Sequence, residues 1–111
     1  MRTVDLVVDG DGSAALAAVV SALTRGQCVL VVLRSLDARA ARRLRRSIRK
    51  AGGWKAGRLR IITNAEVVCA DGVNGVEAVV IRQVSTGRLW AVNASAFCPS
   101  RAVPRRQLSA E

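Results

Sequence analysis

The chain has 111 residues, of which 50% are hydrophobic and 23% charged, a balance that predicts one globular domain rather than a disordered segment. No apolar run approaches the ~20 residues of a membrane span, because Arg25 interrupts the longest one. The first apolar stretch contains Asp5, Asp9 and Asp11, which a signal peptide would exclude. We therefore expect a cytoplasmic protein.

The net charge of +10 comes almost wholly from arginine, because Lys50 and Lys55 are the only lysines. Such a basic protein favours a polyanionic partner, either a nucleic acid or a phosphorylated small molecule. An arginine-rich codon usage combined with a solvated surface would produce the same charge. Composition alone leaves both possibilities open.

The three cysteines, Cys28, Cys69 and Cys98, form no C-x-x-C pair, and the chain has no histidine. These facts argue against a metal site of the Cys/His type. Cys28 and Cys69 fall within apolar strand patterns and are most simply small core residues. A thiol nucleophile would lack a histidine base, so we expect no metal and identify no independent catalytic residues.

The N-terminal stretch has the pattern of a strand, a tight glycine turn and a helix. The apolar run Leu6-Val7-Val8 predicts a buried parallel strand over Thr3 to Val8, and a helix is predicted over Ser13 to Arg25. Between them lies a G-x-G-x-x-A pattern. Gly10 permits unusual dihedrals, Gly12 has no Cβ to keep a pyrophosphate away, and Ala15 allows close helix–strand packing. This arrangement is typical of a dinucleotide-binding turn, with Asp11 or Ser13 as helix cap.

Two further strands and one helix complete a β-α-β-α-β order. Cys28 to Leu33 and Leu59 to Thr63 are predicted strands, and Asp37 to Ala51 is a predicted helix that ends at Gly52-Gly53. The predicted buried stripe of this helix comprises Ala40, Ala41, Leu44, Ile48 and Ala51. Its remaining surface is basic and comprises Arg39, Arg42, Arg43, Arg45, Arg46, Arg49 and Lys50.

From Asn64 onward the pattern changes to short strands separated by turn residues. Strands are predicted at Glu66 to Ala70, Val76 to Arg82 and Arg88 to Asn93, with a separate last strand at Ala96 to Cys98. The expected fold class is α/β, with a Rossmann-like βαβαβ half, a parallel sheet and an antiparallel three-strand β-meander. This domain is expected over residues 1–98, followed by a flexible basic C-terminal tail over residues 99–111.

At this point the chain resembles the NADPH-binding domain of thioredoxin-reductase-like FAD-dependent pyridine nucleotide oxidoreductases. The likeness begins with the glycine turn and continues at Arg34 and Arg39-Ala40, which match arginines that follow the second strand in that family. The resemblance implies that Gly10, Gly12, Ser13 and Ala15 meet the pyrophosphate of the cofactor. It also implies that Arg34 and Arg39 hold the 2′-phosphate of NADPH, a role suited to guanidinium groups.

The chain also departs from the family pattern. Asp9 and Asp11 place negative charge at the turn, where they oppose a pyrophosphate, and Ser35 replaces a second arginine. The FAD-binding domain that flanks this domain in the family has no counterpart in the sequence, so no FAD site is expected in this chain. We expect an isolated domain that binds NADP(H) or another phosphorylated nucleotide, is not catalytic alone, and has a possible flavoprotein partner.

Two alternative functions stay open. The first is a basic interaction protein that binds nucleic acid or another polyanion non-specifically, through Arg39, Arg42, Arg43, Arg46 and Arg49. The second is a structural homo-oligomeric scaffold that has lost cofactor binding. Because Leu89, Trp90, Val92 and Phe97 are apolar and would need cover, a homodimer through the meander or a sheet edge is expected.

Overall fold

The structure is a computed structural model, and it describes residues 2–51, 58–71, 78–99 and 105–106. The parallel half contains β1 (Arg2–Asp9), α1 (Ser13–Thr24), β2 (Val29–Val32), α2 (Ala38–Ala51) and β3 (Leu59–Ile62). The second half contains β4 (Ala65–Asp71), β5 (Ala78–Gln83), β6 (Leu89–Cys98) and the two-residue strand β7 (Arg105–Arg106). The predicted fold class is confirmed. The glycine-rich segment 52–57 and residues 72–77 lie outside the described residues; the latter hold most of the turn expected between the first two meander strands and the first two residues of the strand predicted from Val76.

All seven strands belong to one sheet, in the order β3-β2-β1-β6-β5-β4-β7. β1 pairs in parallel with β2, and β2 with β3, whereas β5 pairs antiparallel with both β4 and β6. β6 also pairs in parallel with β1 along its C-terminal part, so it joins the meander to the parallel half.

One prediction about β6 was wrong. The sequence pattern indicated two strands separated by Ala94-Ser95, whereas the structure has one continuous strand from Leu89 to Cys98. The backbone stays extended through the expected gap because Asn93 and Ala94 are in register with Thr3 and Val4 of β1. This pairing joins residues far apart in the sequence, and no local pattern reports it.

The core lies on both faces of the parallel strands. Val8, Val29 and Val31 belong to a cluster with the helices, and Val7 and Leu30 belong to a second cluster with the meander. Consecutive residues of one strand therefore enter opposite clusters, and every one of them is buried. This explains why β2 and the Leu6-Val7-Val8 part of β1 are unbroken apolar runs in the sequence.

The helices follow the predicted positions with small differences at their ends and sides. The N-cap of α1 is Gly12 without a side-chain cap, so capping by Asp11 or Ser13 was wrong. α2 is preceded by Asp37, whose Oδ1 accepts a hydrogen bond from the Arg39 N–H at 2.9 Å. Its buried stripe is narrower than predicted and comprises Ala40, Leu44 and Ile48, with Ala41 half-buried and Ala51 exposed.

Among the described residues, neither helix is long and apolar enough to cross a membrane. The expected flexible tail, 99–111, lies mostly outside the described residues, and within it β7 pairs with Ala70 and Asp71 of β4. The flexibility of this segment stays a prediction.

Candidate functional site

A cavity lies where β1 and β2 end, and we call it the turn cavity. It has a volume of about 250 Å³ and is lined by Asp9, Gly10, Asp11, Leu33, Arg34, Ser35 and Ala40. Open α/β sheets bind their ligands in the crevice outside the carboxyl ends of their strands. The turn cavity has this position, and it brings together the glycine turn and Arg34, which are distant in sequence.

The two glycines of the turn differ in what they contribute. Gly10 has a φ of 99°, a conformation that favours glycine, and its N–H donates to the Val32 carbonyl at 3.0 Å. Gly12 has an ordinary extended conformation, with φ −70° and ψ −179°. A Cβ added to Gly12 would meet no atom within 4 Å. The fold therefore requires glycine for conformation at position 10, whereas position 12 faces open space.

The other two predicted turn residues lie at the start of α1. Ser13 is the first helical residue and is exposed, and Ala15 is 6% exposed within the helix-side cluster that includes Val8. The first turn of α1 contains no acidic residue. Backbone N–H groups at an α-helix N-terminus have no intrahelical acceptor, so this end of α1 suits an anion.

Arg34 contacts a carboxylate that the sequence pattern does not reveal. Its Nε lies 3.5 Å from Oε1 of Glu66, and its side chain is 59% exposed. Glu66 is buried and also accepts hydrogen bonds from Nε and Nη2 of Arg82, the first at 2.9 Å. A guanidinium has further donors on its terminal nitrogens, so an Nε contact leaves Arg34 with capacity for a second anion.

The loop after β2 is held by backbone hydrogen bonds to the start of the meander. The Asn64 N–H donates to the Ser35 carbonyl at 2.9 Å, and the Ala65 N–H donates to the Leu33 carbonyl at 3.1 Å. Asn64 has a φ of 56°, which asparagine tolerates better than most residues. These contacts fix the wall of the turn cavity that contains Arg34. Arg39 is exposed in the first turn of α2, where its neighbour Ala40 lines the cavity.

Acidic side chains outnumber basic ones in the lining of the turn cavity. Asp9 is 3% exposed at the end of β1, and Asp11 is exposed in the turn. Together with Arg34 they give the lining two carboxylates and one guanidinium. Side-chain charge in this cavity therefore works against an anion, and backbone N–H groups work in its favour.

A larger groove lies on the meander side of the sheet, and we call it the meander groove. Its volume is about 770 Å³. It is lined by the apolar residues Leu30, Ile62, Ala91 and Val92, and by Trp90, Arg60, Gln83 and Arg88. These residues come from four different strands and their connections, so no sequence motif predicts the groove.

The sequence predicts that four apolar residues of the last strands need cover, and the structure gives the exposure of each. Leu89 and Trp90 are 57% and 38% exposed. Val92 is buried, and Phe97 is half-buried against the meander-side cluster, so these two are covered within the chain itself. The expectation of exposure was therefore right for two of the four residues.

The cysteines and acidic residues form no metal centre among the residues that the structure describes. All three cysteines are free thiols, with Cys69 buried and Cys28 and Cys98 half-buried. The Sγ of Cys69 lies 3.9 Å from Oδ1 of Asp71. Cys69 is therefore a core residue as predicted, whereas Cys28 is only half-buried and belongs to neither core cluster.

The parallel βαβαβ half, the meander and the glycine turn define a Rossmann-like α/β domain. Its structural neighbours include several thioredoxin reductases and an FAD-dependent halogenase. Thioredoxin reductase from Streptococcus pyogenes MGAS5005 is similar over 92% of this chain, with 23% identity and a TM-score of 0.66. Thioredoxin reductase from Giardia duodenalis is similar over 92%, with 24% identity and a TM-score of 0.65. A myxobacterial chondrochloren halogenase, described as a variant of FAD-dependent halogenases, is 12% identical over 92%, with a TM-score of 0.65.

These similarities establish the fold. The chain spans about a third of the length of these neighbours, at 32%, 31% and 38% respectively. No family model and no curated protein matches the sequence.

Proposed function

We propose that this chain binds a phosphorylated nucleotide, NADP(H), in the turn cavity and does not catalyse a reaction alone. The observation that carries the proposal is the open space above Gly12, at an uncapped helix N-terminus beside the Arg34 wall. A pyrophosphate in that space would accept hydrogen bonds from the first N–H groups of α1. The thioredoxin reductases with the same fold support the proposal by analogy.

The residues at the end of β2 favour NADP(H) over cofactors with a free ribose hydroxyl. Dinucleotide sites that bind a free 2′-hydroxyl place an acidic side chain there, whereas a nearby arginine accommodates a 2′-phosphate. Here the sequence is Leu33-Arg34-Ser35, and Arg34 lines the cavity. Arg39 is exposed in the first turn of α2, next to Ala40 of the cavity lining, and would supply a second guanidinium. Ser13 adds a hydroxyl at the first position of α1.

Glu66 positions the Arg34 side chain in this proposal. It holds the Nε edge of Arg34 at 3.5 Å, which orients the guanidinium and also neutralises part of its charge. A bound 2′-phosphate would therefore share Arg34 with a buried carboxylate. The proposed activity is binding, and a flavoprotein partner would accept or supply the hydride.

The experiment is a calorimetric titration with NADPH and with NADH, at low and moderate salt. The wild-type chain should bind NADPH in preference to NADH. In the double variant Arg34→Ala/Arg39→Ala, NADPH affinity should fall about tenfold or more, toward that of NADH, because charge-assisted hydrogen bonds to the 2′-phosphate are lost.

The matched control is Arg43→Ala/Arg46→Ala, which removes the same charge from two exposed positions of α2 that do not line the turn cavity. Its NADPH affinity should stay within about twofold of wild type at moderate salt, because screening weakens distant charges. Absence of heat with both nucleotides, or equal losses in the two double variants, would contradict the proposal.

A second candidate function rests on the exposed face of α2. The helix has no acidic residue over Ala38–Ala51, and its Arg42, Arg43 and Arg46 are all exposed. We propose that this face contacts phosphates of a nucleic acid without reading sequence. Fluorescence anisotropy with a labelled duplex should then show affinity that falls steeply with salt. Arg43→Ala/Arg46→Ala should weaken binding more than Arg34→Ala/Arg39→Ala, and the reverse order would contradict a role for this face.

A further inference from the structure

We propose that the meander groove is a second ligand site, separate from the turn cavity, and that it binds a planar aromatic anion. The proposal does not depend on NADP(H) binding. It rests on three properties of the groove, namely its size, its apolar and aromatic lining, and its charge.

The volume and lining of the groove match those of small-molecule sites. Its volume of about 770 Å³ lies within the roughly 300–1,000 Å³ of typical ligand pockets. Leu30 and Val92 are 3% and 1% exposed and form an apolar floor, and Ile62 is half-buried beside them. Such a floor favours a flat apolar body over a sugar or a hydrated ion.

Trp90 supplies an aromatic wall. It is 38% exposed on β6, directly opposite the buried Ile81 of β5, so the strand pairing fixes its backbone position. A large indole that is exposed in a groove offers an apolar face to a ring system, and offset stacking between rings adds to the energy of burial. The ligand class is therefore aromatic as well as apolar.

The polar residues of the groove are donors. Arg60 lies beside Leu30 in the β2–β3 register and is exposed, and Arg88 is exposed just before β6. The Gln83 Oε1 already accepts a hydrogen bond from the Thr86 hydroxyl at 2.9 Å, which leaves the Gln83 amide nitrogen as the donor. No acidic residue lines the groove among the described part of the chain. Two guanidiniums and an amide at the edge of an apolar floor suit a carboxylate or sulfonate on an aromatic ring.

The charge of the protein argues against a second copy of the chain in this groove. The net charge is +10, and Arg60 and Arg88 would meet another strongly basic surface. Like charges across an interface oppose association. A small anion brings the complementary charge and needs no acidic surface on the partner.

The test uses 2-naphthoate as the probe, with naphthalene-2-carboxamide as its neutral isostere, titrated into the full chain by calorimetry. Naphthoate should bind more tightly than the carboxamide. Arg60→Gln/Arg88→Gln should weaken naphthoate binding by about tenfold or more and change carboxamide binding by less than about twofold, since only the charge contacts are lost. Trp90→Leu should weaken the binding of both probes.

Two controls distinguish binding in the groove from binding elsewhere on the chain. Arg43→Gln/Arg46→Gln removes the same charge from α2 and should leave naphthoate binding unchanged. Gly12→Ala should also leave it unchanged, so failure of the NADP(H) proposal and failure of this one are distinguishable. The proposal is overturned if naphthoate does not bind, or if both arginine pairs weaken it equally. It is also overturned if light scattering shows a dimer that Trp90→Leu dissociates, because the groove would then hold a second copy.

Discussion

The turn cavity and the meander groove, our two proposed anion sites, differ in where their positive character comes from. The lining of the turn cavity has two carboxylates, Asp9 and Asp11, and one guanidinium, so in our proposal a phosphate would be held by backbone N–H groups. The meander groove contains Arg60 and Arg88, has an apolar floor, and uses no helix terminus. The comparison separates two sources of affinity for an anion, namely the backbone of a strand–turn–helix unit and the charge of side chains. In the meander groove, the positive charge comes only from the side chains of Arg60 and Arg88.

The largest effect that we expect concerns the backbone of the turn. Gly10→Ala should lower the free energy of unfolding by about 1–3 kcal/mol, the usual cost of a strained backbone conformation, because its φ is 99°. Urea denaturation measures this change. Gly12→Ala is the control and should leave stability nearly unchanged, since its φ is −70° and its Cβ meets open space. Equal losses of stability would show that the two glycines have the same role.

The second prediction uses the same glycine pair to test binding. Gly12→Ala should raise the Kd for NADPH about tenfold or more, because the added methyl group keeps the pyrophosphate from the N–H groups of α1. Calorimetry on the folded variant measures the change. Unchanged NADPH affinity in a stable Gly12→Ala variant would mean that the open space above Gly12 is not the phosphate site.

A smaller effect should follow from removing a carboxylate of the turn cavity. Asp11→Asn should tighten NADPH binding about two- to threefold at low salt, and less at high salt, because repulsion between exposed charges is screened. Asp71→Asn provides the matched control, since Asp71 lies on β4, close to the far edge of the sheet. Equal gains in the two variants would assign the effect to net charge rather than to the cavity.

The smallest effect concerns the independence of the two cavities. Arg60→Gln/Arg88→Gln should change the Kd for NADPH by less than about twofold at moderate salt, where charges beyond roughly 8–10 Å are screened. Titration of this variant with NADPH gives the measurement. A large loss would mean that the nucleotide extends into the meander groove or binds there instead.

The local sequence pattern predicted the strands and helices of the parallel half well, but it predicted the residues of the two cavities only in part. Unbroken valine-rich runs and a glycine turn located β1, β2 and α1 to within a residue or two, because these signals are short-range. The continuity of β6 depends on pairing with β1, and the contact between Arg34 and Glu66 joins the ends of separate strands. The meander groove likewise forms only when four strands meet. Contacts of this kind depend on topology, which the periodicity of a single segment does not encode.

Because β6 pairs with both β1 and β5, it links the unfolding of the meander to that of the parallel half. Val92 is in register with Val79 of β5 on one side and with Arg2 of β1 on the other. The meander therefore cannot separate from the parallel half without breaking hydrogen bonds of a strand that both halves share. We expect amides in the middle of β6 to exchange with solvent deuterium only through global unfolding, so the two halves should behave as one cooperative unit.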